Sequence, residues 1–277
     1  MAKLMIRGLE TYVEIWNEEA EQTLVALHGF TGSTATWGNL VKALPSVRVI
    51  AIDLIGHGHT AIPQQISRFS MQAQIQDLEE VFCQLQLKKF TLLGYSMGGR
   101  IALSYAISYP ERIEKLILES ASPGLRTSKE RSERCERDNT LAEKIISNGL
   151  LSFVNAWENI PLFESQKNLP YSVQEAIRLE RLSQKEEGLA GSLRGIGTGS
   201  QPSNWMSLEK LEYPVLLITG SLDEKFCKIA LEMKALIKNA KHSTVNGAGH
   251  AIHVENPAEF ATIVEEYLTS FNTNERS

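Results

Sequence analysis

The chain has 277 residues, of which 43% are hydrophobic and 22% charged, and its formal net charge is −5. This composition is ordinary for a globular protein and excludes a disordered or collagen-like chain. The acidic balance gives no general attraction to nucleic acid, and no apolar run reaches the roughly 18 to 20 residues that span a bilayer. We therefore expect one domain with an insertion, and neither nucleic acid nor a membrane as partner.

The amino-terminal segment MAKLMIRGLE lacks the apolar core of a secretory signal, so we expect a cytoplasmic protein. Three cysteines at wide and irregular spacing predict neither a disulfide framework nor a zinc site. His57 and His59 are two residues apart, but no carboxylate or cysteine cluster completes a set of metal ligands. We expect no bound metal.

Strand-like and helix-like segments alternate along most of the chain. Met5 to Trp16 alternates weakly and predicts an antiparallel pair at one edge of a sheet. Five apolar runs then predict buried parallel strands: TLVALHG (23–29), VRVIAID (47–53), FTLLGYS (90–96), KLILES (115–120) and PVLLITG (214–220). Helical spacing appears at Ser70 to Leu87, Gly98 to Ser108 and Pro257 to Phe271. The pattern predicts an α/β fold, a mainly parallel sheet flanked by helices.

This alternation stops between residues 121 and 205, where polar helical segments such as SKERSERCERDNTLAEKII replace the strands. We therefore predict a core formed by residues 1–120 and 206–277, and a helical cap formed by residues 121–205. The cap is expected to leave and rejoin the core near the carboxyl ends of the strands. Open α/β sheets bind their ligands at that edge.

Gly94, Tyr95, Ser96, Met97 and Gly98 form the motif G-x-S-x-G between the strand FTLL and a predicted helix. The glycines permit a sharp turn that presents the serine hydroxyl at the helix amino terminus, where the macrodipole favours negative charge. The alternative is a turn that serves only tight packing. The strand and helix around the motif favour a nucleophile elbow, and with it the α/β-hydrolase fold.

A serine hydroxyl is a weak nucleophile or base alone, so it needs a histidine whose tautomer is set by a carboxylate. His250 lies in GAGHAIHVENP, and Asp223 follows the apolar run PVLLITG. The order serine, aspartate, histidine is the order of this fold, so we predict Ser96, Asp223 and His250 as the catalytic triad. Glu224 is the alternative acid, and we expect His253 to be packed or exposed instead of reactive.

Phe30 follows the first apolar run, and Met97 follows the serine. We predict that the backbone amides of these two residues form an oxyanion hole. His28 is expected to have a structural hydrogen-bonding role. Asp53 begins the segment DLIGHGHT, where we favour a role in shaping the loop over a chemical one.

The predicted cap is rich in arginine, and for any single arginine a solvated helix face neutralised by nearby glutamates is the simpler interpretation. Arg100 differs because it follows Ser96 by one helical turn and lies roughly on the same face. It could approach a substrate held over the serine. A cation at that place favours an anionic substrate over a neutral ester.

Beyond these motifs, the chain resembles the 2-succinyl-6-hydroxy-2,4-cyclohexadiene-1-carboxylate (SHCHC) synthases of menaquinone biosynthesis, from LHGFTGS to NPAEF. The stretches that carry the resemblance are GYSMGGR, ASPGLRTSKERSERCERDN, FVNAWENIPLFESQ, LAGSLRGIGTGSQPSNW and GSLDEKF. The resemblance implies a lyase without cofactor that eliminates pyruvate from a succinyl-enolpyruvyl-cyclohexene dicarboxylate. It also implies that the triad makes Ser96 a base that removes a ring proton.

The same motifs imply several residues that contact the small anionic substrate. These are Tyr95, Arg100, Arg134 in SERCERDN and Trp157 in NAWEN. A further family arginine falls in AIRLERLSQ, where we favour Arg181 and where Arg178 stays open. Several cations would suit a substrate with several carboxylates.

Two other functional classes share parts of this pattern. A carboxylic-ester or carbon–carbon bond hydrolase would have the same elbow and triad, so that only the cap separates it from the lyase. A non-catalytic binding module of the same fold is disfavoured because serine, aspartate and histidine are all present in the expected order. The sequence predicts no particular oligomeric state.

Overall fold

A computed structural model describes residues 2–270, which form an eight-stranded sheet flanked by helices. The strands are β1 (Ala2–Ile6), β2 (Leu9–Trp16), β3 (Thr23–Leu27), β4 (Arg48–Ile52), β5 (Phe90–Tyr95), β6 (Ile113–Glu119), β7 (Val215–Gly220) and β8 (Ala240–Val245). Their order across the sheet is β1-β2-β4-β3-β5-β6-β7-β8. The antiparallel pairings involve β2, while β4, β3 and β5 to β8 run parallel. The predicted α/β fold and its antiparallel edge are confirmed.

Helices occupy both faces of the sheet and the segment between β6 and β7. They are α1 (Gly38–Ala43), α2 (Met71–Gln84), α3 (Met97–Ser108), α4 (Ser128–Trp157), α5 (Tyr171–Leu182), α6 (Glu186–Ile196), α7 (Glu224–Leu236), α8 (Ile252–Glu255) and α9 (Pro257–Thr269). Short 3-10 helices lie at Thr34–Trp37, Ile66–Phe69, Pro110–Arg112, Pro161–Asn168 and Trp205–Lys210. The three helices predicted from spacing correspond to α2, α3 and α9, and Phe271 lies outside the described residues.

The core consists of two apolar layers, one on each face of the sheet. Along β3, Val25 and Leu27 belong to one layer, while Leu24 and Ala26 belong to the other. A strand alternates its side chains between two faces, so a strand covered on both faces needs apolar residues at every position. This requirement explains the continuous apolar runs of the central strands.

Strand β8 has no such run, and the sequence did not indicate it. Within residues 2–270 its segment AKHSTV pairs with β7 alone, and most of its positions are partly or fully exposed. An edge strand has one neighbour, and polar side chains there disfavour pairing with another chain. The missed strand is thus explained by its position in the sheet.

Between β6 and β7 the described chain is helical. Helices α4 and α6 share a small apolar cluster of their own, which includes Ala142, Ile145, Val154 and Leu189. Helix α4 breaks at Gly149, whose φ of 81° lies in the left-handed region that favours glycine. The boundaries expected for a separate cap, at residues 121 and 205, stay a prediction. None of the helices within residues 2–270 is both long and apolar enough to cross a membrane.

The sheet order creates a crevice at its carboxyl edge. Strand β3 lies between β4 and β5, so the chain turns to one side after β3 and to the other side after β5. Loops that leave neighbouring strands in opposite directions open a space between them. The loops after β3, β5, β7 and β8 all begin at this edge, and they carry Phe30, Ser96, Asp223 and His250.

We predict that Gly98→Ala destabilises the protein by about 2 kcal/mol or more, because an overpacked site must shift the backbone. A Cβ atom on Gly98 would overlap the carbonyl oxygens of Leu27 and His28 at the end of β3. Thermal unfolding of the variant should show a melting temperature lower by about 4 °C or more.

Gly38→Ala is the matched control, because no heavy atom lies within 4 Å of a Cβ built at Gly38, the first residue of α1. Its melting temperature should equal or exceed that of the parent protein. Equal melting temperatures for both variants would contradict the role given to the close approach at Gly98.

Candidate active site

Ser96 occupies a strained turn between β5 and α3. Its backbone angles are φ 49° and ψ −105°, a combination that L-residues rarely adopt and that costs about 1 to 3 kcal/mol. Its amide donates to the carbonyl oxygen of Glu119 at 2.9 Å, which extends the pairing of β5 with β6 to the serine. The sheet therefore fixes the place from which the Ser96 hydroxyl projects.

Among the three residues predicted as a triad, His250 lies within hydrogen-bonding distance of both others. His250 Nε2 is 3.0 Å from Ser96 Oγ, and His250 Nδ1 is 2.7 Å from Asp223 Oδ2. Because a carboxylate accepts, Nδ1–H donates to Asp223 and Nε2 is left to accept from the serine hydroxyl. Asp223 also accepts from the amide of Phe226, and the Phe226 ring lies 4.7 Å from the His250 ring. Both His250 and Asp223 are buried, so their geometry is held by packing.

The alternative acid and the second histidine lie elsewhere. Glu224 is exposed and faces Lys228 at 3.8 Å. His253 is buried, and its Nδ1 lies 2.8 Å from a carboxylate oxygen of Glu119 at the end of β6. Its ring packs against Tyr95, with ring centroids 4.5 Å apart. His253 thus supports the strand ends beneath the elbow.

The predicted oxyanion amides belong to residues that line the same cavity as Ser96. Met97 is the first residue of α3, whose amino-terminal amides have no partner within the helix. Within residues 2–270, no acceptor is hydrogen-bonded to the amide of Phe30 or of Met97. Both groups are therefore available to a ligand, and their role as an oxyanion hole stays a prediction.

His28 and Asp53 hold the loops beside Phe30. His28 Nδ1–H donates to Gly29 O at 2.8 Å, while His28 Nε2 accepts from the amide of Leu54 at 3.0 Å. Asp53 accepts from the amides of Thr34 at 2.6 Å and His59 at 2.7 Å. Burial raises the pKa of Asp53, against the opposing effect of these two amides. Both side chains have hydrogen-bonding roles in loop structure.

The Ser96 hydroxyl opens onto a cavity of about 220 Å³ between the sheet edge and the helices that follow β6. Tyr95, Arg100, Arg134 and Trp157, four of the predicted substrate contacts, line it. The remaining walls are mainly apolar and include Phe30, Met97, Leu125, Leu162, Phe163, Leu193, Ile196, Trp205, Phe226 and Ile229. Burial raises the pKa of the Tyr95 phenol well above its usual value, so the phenol stays neutral. Such a cavity suits a compact molecule with a few charged groups.

Two arginines present positive charge to this cavity. Arg100 uses Nη1 to donate to Ile196 O at 2.8 Å and to Gln201 Oε1 at 3.1 Å. Burial lowers the pKa of Arg100 to about 10, so the guanidinium stays protonated at neutral pH. Arg134 donates through Nε to Asp138 Oδ1 at 2.8 Å. In both arginines, the nitrogens that have no partner in the described part of the chain are available to an anion.

Arg181 and Arg178 do not line the cavity that holds Ser96. Arg181 is buried, donates to Gln166 at 3.1 Å and places its guanidinium 4.7 Å from the ring of Phe163, which does line that cavity. Arg178 pairs with Glu158 at 2.6 Å. The substrate contact expected from Arg181 therefore stays a prediction that the geometry does not support directly.

Lys225 and Phe226 line the cavity from the first turn of α7 and were not among the residues predicted from the sequence. Their proximity to Asp223 along the chain was the available signal. Gln201 and Asp138, which hold the two arginines, gave no signal apart from the helical spacing of Asp138 from Arg134. Among residues 2–270, no group of three acidic, histidine or cysteine side chains is arranged to hold a metal ion.

Comparison with known proteins gives one family and close relatives. Residues 22–257 match the alpha/beta hydrolase fold family. The chain is 50% identical over 251 residues to a Bacillus subtilis protein that bears the name 2-succinyl-6-hydroxy-2,4-cyclohexadiene-1-carboxylate synthase, covering 91% of this chain and 92% of that protein. A synthase of the same name from Enterobacter is 31% identical, covering 88% and 91%. The structure of MenH from S. aureus superposes with a TM-score of 0.90 at 38% identity, covering 94% and 98%.

We predict that the protein loses stability in acid because of His28 and His57. Burial lowers the pKa of His28 from 6.5 to about 4 and that of His57 to about 3. The unfolded state therefore takes up protons before the folded state does, so the stabilising contribution is complete above about pH 6.5 and lost as the pH falls toward 4. For His28 alone the loss is about 3 kcal/mol.

Urea unfolding at a series of pH values between 7.5 and 4.5 measures this slope. His28→Asn removes one titrating group and should make the pH dependence shallower. An identical slope in the variant would show that His28 does not contribute.

Proposed function

The chain belongs to the alpha/beta hydrolase family and, within it, to the family of SHCHC synthases; from this we propose that it eliminates pyruvate from 2-succinyl-5-enolpyruvyl-6-hydroxy-3-cyclohexene-1-carboxylate. The product is 2-succinyl-6-hydroxy-2,4-cyclohexadiene-1-carboxylate, an intermediate of menaquinone biosynthesis. The enzyme is a carbon–oxygen lyase. The observation that carries this function is a serine triad in a cavity that also presents Arg100 and Arg134.

The elimination begins with the ring proton next to the succinyl carbonyl. We assign Ser96 as the base that takes this proton while His250 holds the proton of the serine hydroxyl and Asp223 stabilises the resulting imidazolium. The electrons of the C–H bond form a double bond, the existing ring double bond shifts, and the C–O bond to the enolpyruvyl group breaks. The departing enolate takes up the proton that His250 holds and becomes pyruvate, so the enzyme returns to its starting state without an acyl-enzyme.

The site also offers donors for the charge that develops during proton removal. Electron density moves toward the succinyl carbonyl oxygen, and the free amides of Phe30 and Met97 are suited to receive it. Arg100 and Arg134 suit the carboxylates that the substrate retains, because a guanidinium binds a carboxylate through two parallel hydrogen bonds. Trp157 offers a buried indole N–H that has no partner among the described residues.

We further propose that the reaction takes place in the cytoplasm. The three cysteines are unpaired in the structure, which supports a reducing compartment.

The decisive assay combines the purified protein with the enolpyruvyl substrate and follows pyruvate release together with diene absorbance. Rapid formation of both products is expected, and Ser96→Ala should lower the rate by about 10³-fold or more, since proton transfer by a positioned base contributes roughly 10² to 10⁴. Hydrolysis of small p-nitrophenyl esters well above a Ser96→Ala control, with no lyase activity, would instead identify an ester hydrolase. A covalent adduct trapped during turnover would exclude the general-base assignment.

We predict that Asp223→Asn lowers kcat by about 10³ to 10⁴-fold, because the amide favours the wrong histidine tautomer. Glu224→Gln is the matched control: it removes a carboxylate from the next position, which is exposed and lies 3.8 Å from Lys228. Its kcat should stay within about twofold of the parent, as expected of a weak surface ion pair. Equal losses in the two variants would contradict the assignment of Asp223 as the acid of the triad.

A further inference from the structure

The charged residues that line the Ser96 cavity are all cations. Arg100, Arg134 and Lys225 contribute to its walls, and no aspartate or glutamate does so within the described chain. The protein as a whole is acidic, with a net charge of −5, so this local excess of positive charge is not a consequence of composition. A polyanionic ligand would be attracted to this cavity although the rest of the surface repels it.

Lys225 differs from the two arginines in its surroundings. It lies in the first turn of α7, two residues after Asp223, and its side chain is exposed. Its Nζ lies 5.5 Å from the ring of Phe226, which itself packs on His250. Within residues 2–270 no carboxylate lies within 4 Å of Lys225, whereas Arg134 is held by Asp138. Lys225 is thus an unpaired cation at the solvent side of the cavity, beside the triad.

The proposed reaction divides the charges of its substrate in a way that matches this arrangement. The substrate has three carboxylates, on the ring, at the end of the succinyl chain and on the enolpyruvyl group. The diene retains the first two, and the third departs with pyruvate. A leaving group must reach solvent, and a lysine on a flexible stem can follow it more easily than a buried, fixed guanidinium.

We infer that Lys225 binds the carboxylate of the enolpyruvyl group, the part of the substrate that leaves. This assignment rests on the proposed function and adds to it the residue that recognises the leaving group. The ammonium attracts the substrate to the cavity and stays close to the enolate as the C–O bond breaks. It also explains why the exposed lysine of the segment GSLDEKF lines the cavity without an ion-pair partner among residues 2–270.

The test compares Lys225→Gln with Lys228→Gln. Both variants remove one positive charge from an exposed position on α7, but Lys228 does not line the cavity and faces Glu224 at 3.8 Å. For each protein, KM and kcat are measured with the substrate, and the inhibition constant is measured for the isolated diene product. Circular dichroism checks that both variants keep the parent fold.

Lys225→Gln should raise KM and lower kcat/KM by about tenfold, the value of one hydrogen bond between charged groups. The inhibition constant of the diene should change by less than about twofold, because the product lacks the carboxylate that Lys225 binds. Lys228→Gln should leave all three constants unchanged.

Three results would overturn parts of this account. Unchanged kinetics in Lys225→Gln would exclude Lys225 from substrate binding. Equal increases in KM and in the inhibition constant of the diene would place Lys225 at a carboxylate that the product keeps, which overturns the assignment to the leaving group. An inactive parent protein would remove the proposed function and this assignment with it.

Discussion

The turn at Ser96 is the constraint on which the rest of the site depends. Its backbone is held at φ 49°, and the strain is sustained because the surrounding sheet allows no relaxation. The Ser96 amide is bound by the Glu119 carbonyl on one side, and Gly98 lies against the carbonyls that end β3 on the other. Because these contacts come from three neighbouring strands, the serine hydroxyl, the Met97 amide and the loop of Phe30 have one mutual arrangement.

Buried polar groups extend this rigidity to the other loops. His253 pairs with Glu119 beneath Tyr95. Asp53 accepts hydrogen bonds from two loop amides, those of Thr34 and His59. Burying such groups without partners would be costly, whereas paired groups hold a loop in one conformation. The three residues predicted as a triad therefore lie on a scaffold that is already organised.

The helices between β6 and β7 change what this common scaffold can do. They place Arg134 and Trp157 in the wall of the serine's cavity, and the end of α6 and the loop after it supply, through Ile196 and Gln201, the acceptors that orient Arg100. A triad in a neutral cavity suits esters, whereas the same triad between cations suits proton removal from a polyanion. The serine turn common to the fold, combined with a cavity lined by cations, suits the lyase chemistry.

The sequence by itself determined the α/β fold, the five buried strands, three of the helices and the turn at Ser96, because buried strands and tight turns demand particular residues at fixed local spacing. The triad of Ser96, Asp223 and His250 stays a prediction from the order of these residues in the chain. It did not indicate strand β8, whose polar residues reflect an edge position that only the sheet order defines. Only the tertiary structure decided the places of two further cations: Lys225 lines the serine's cavity, and Arg181 packs on Phe163 outside it. Local pattern cannot decide this, because a cavity wall is assembled from distant segments whose approach depends on packing.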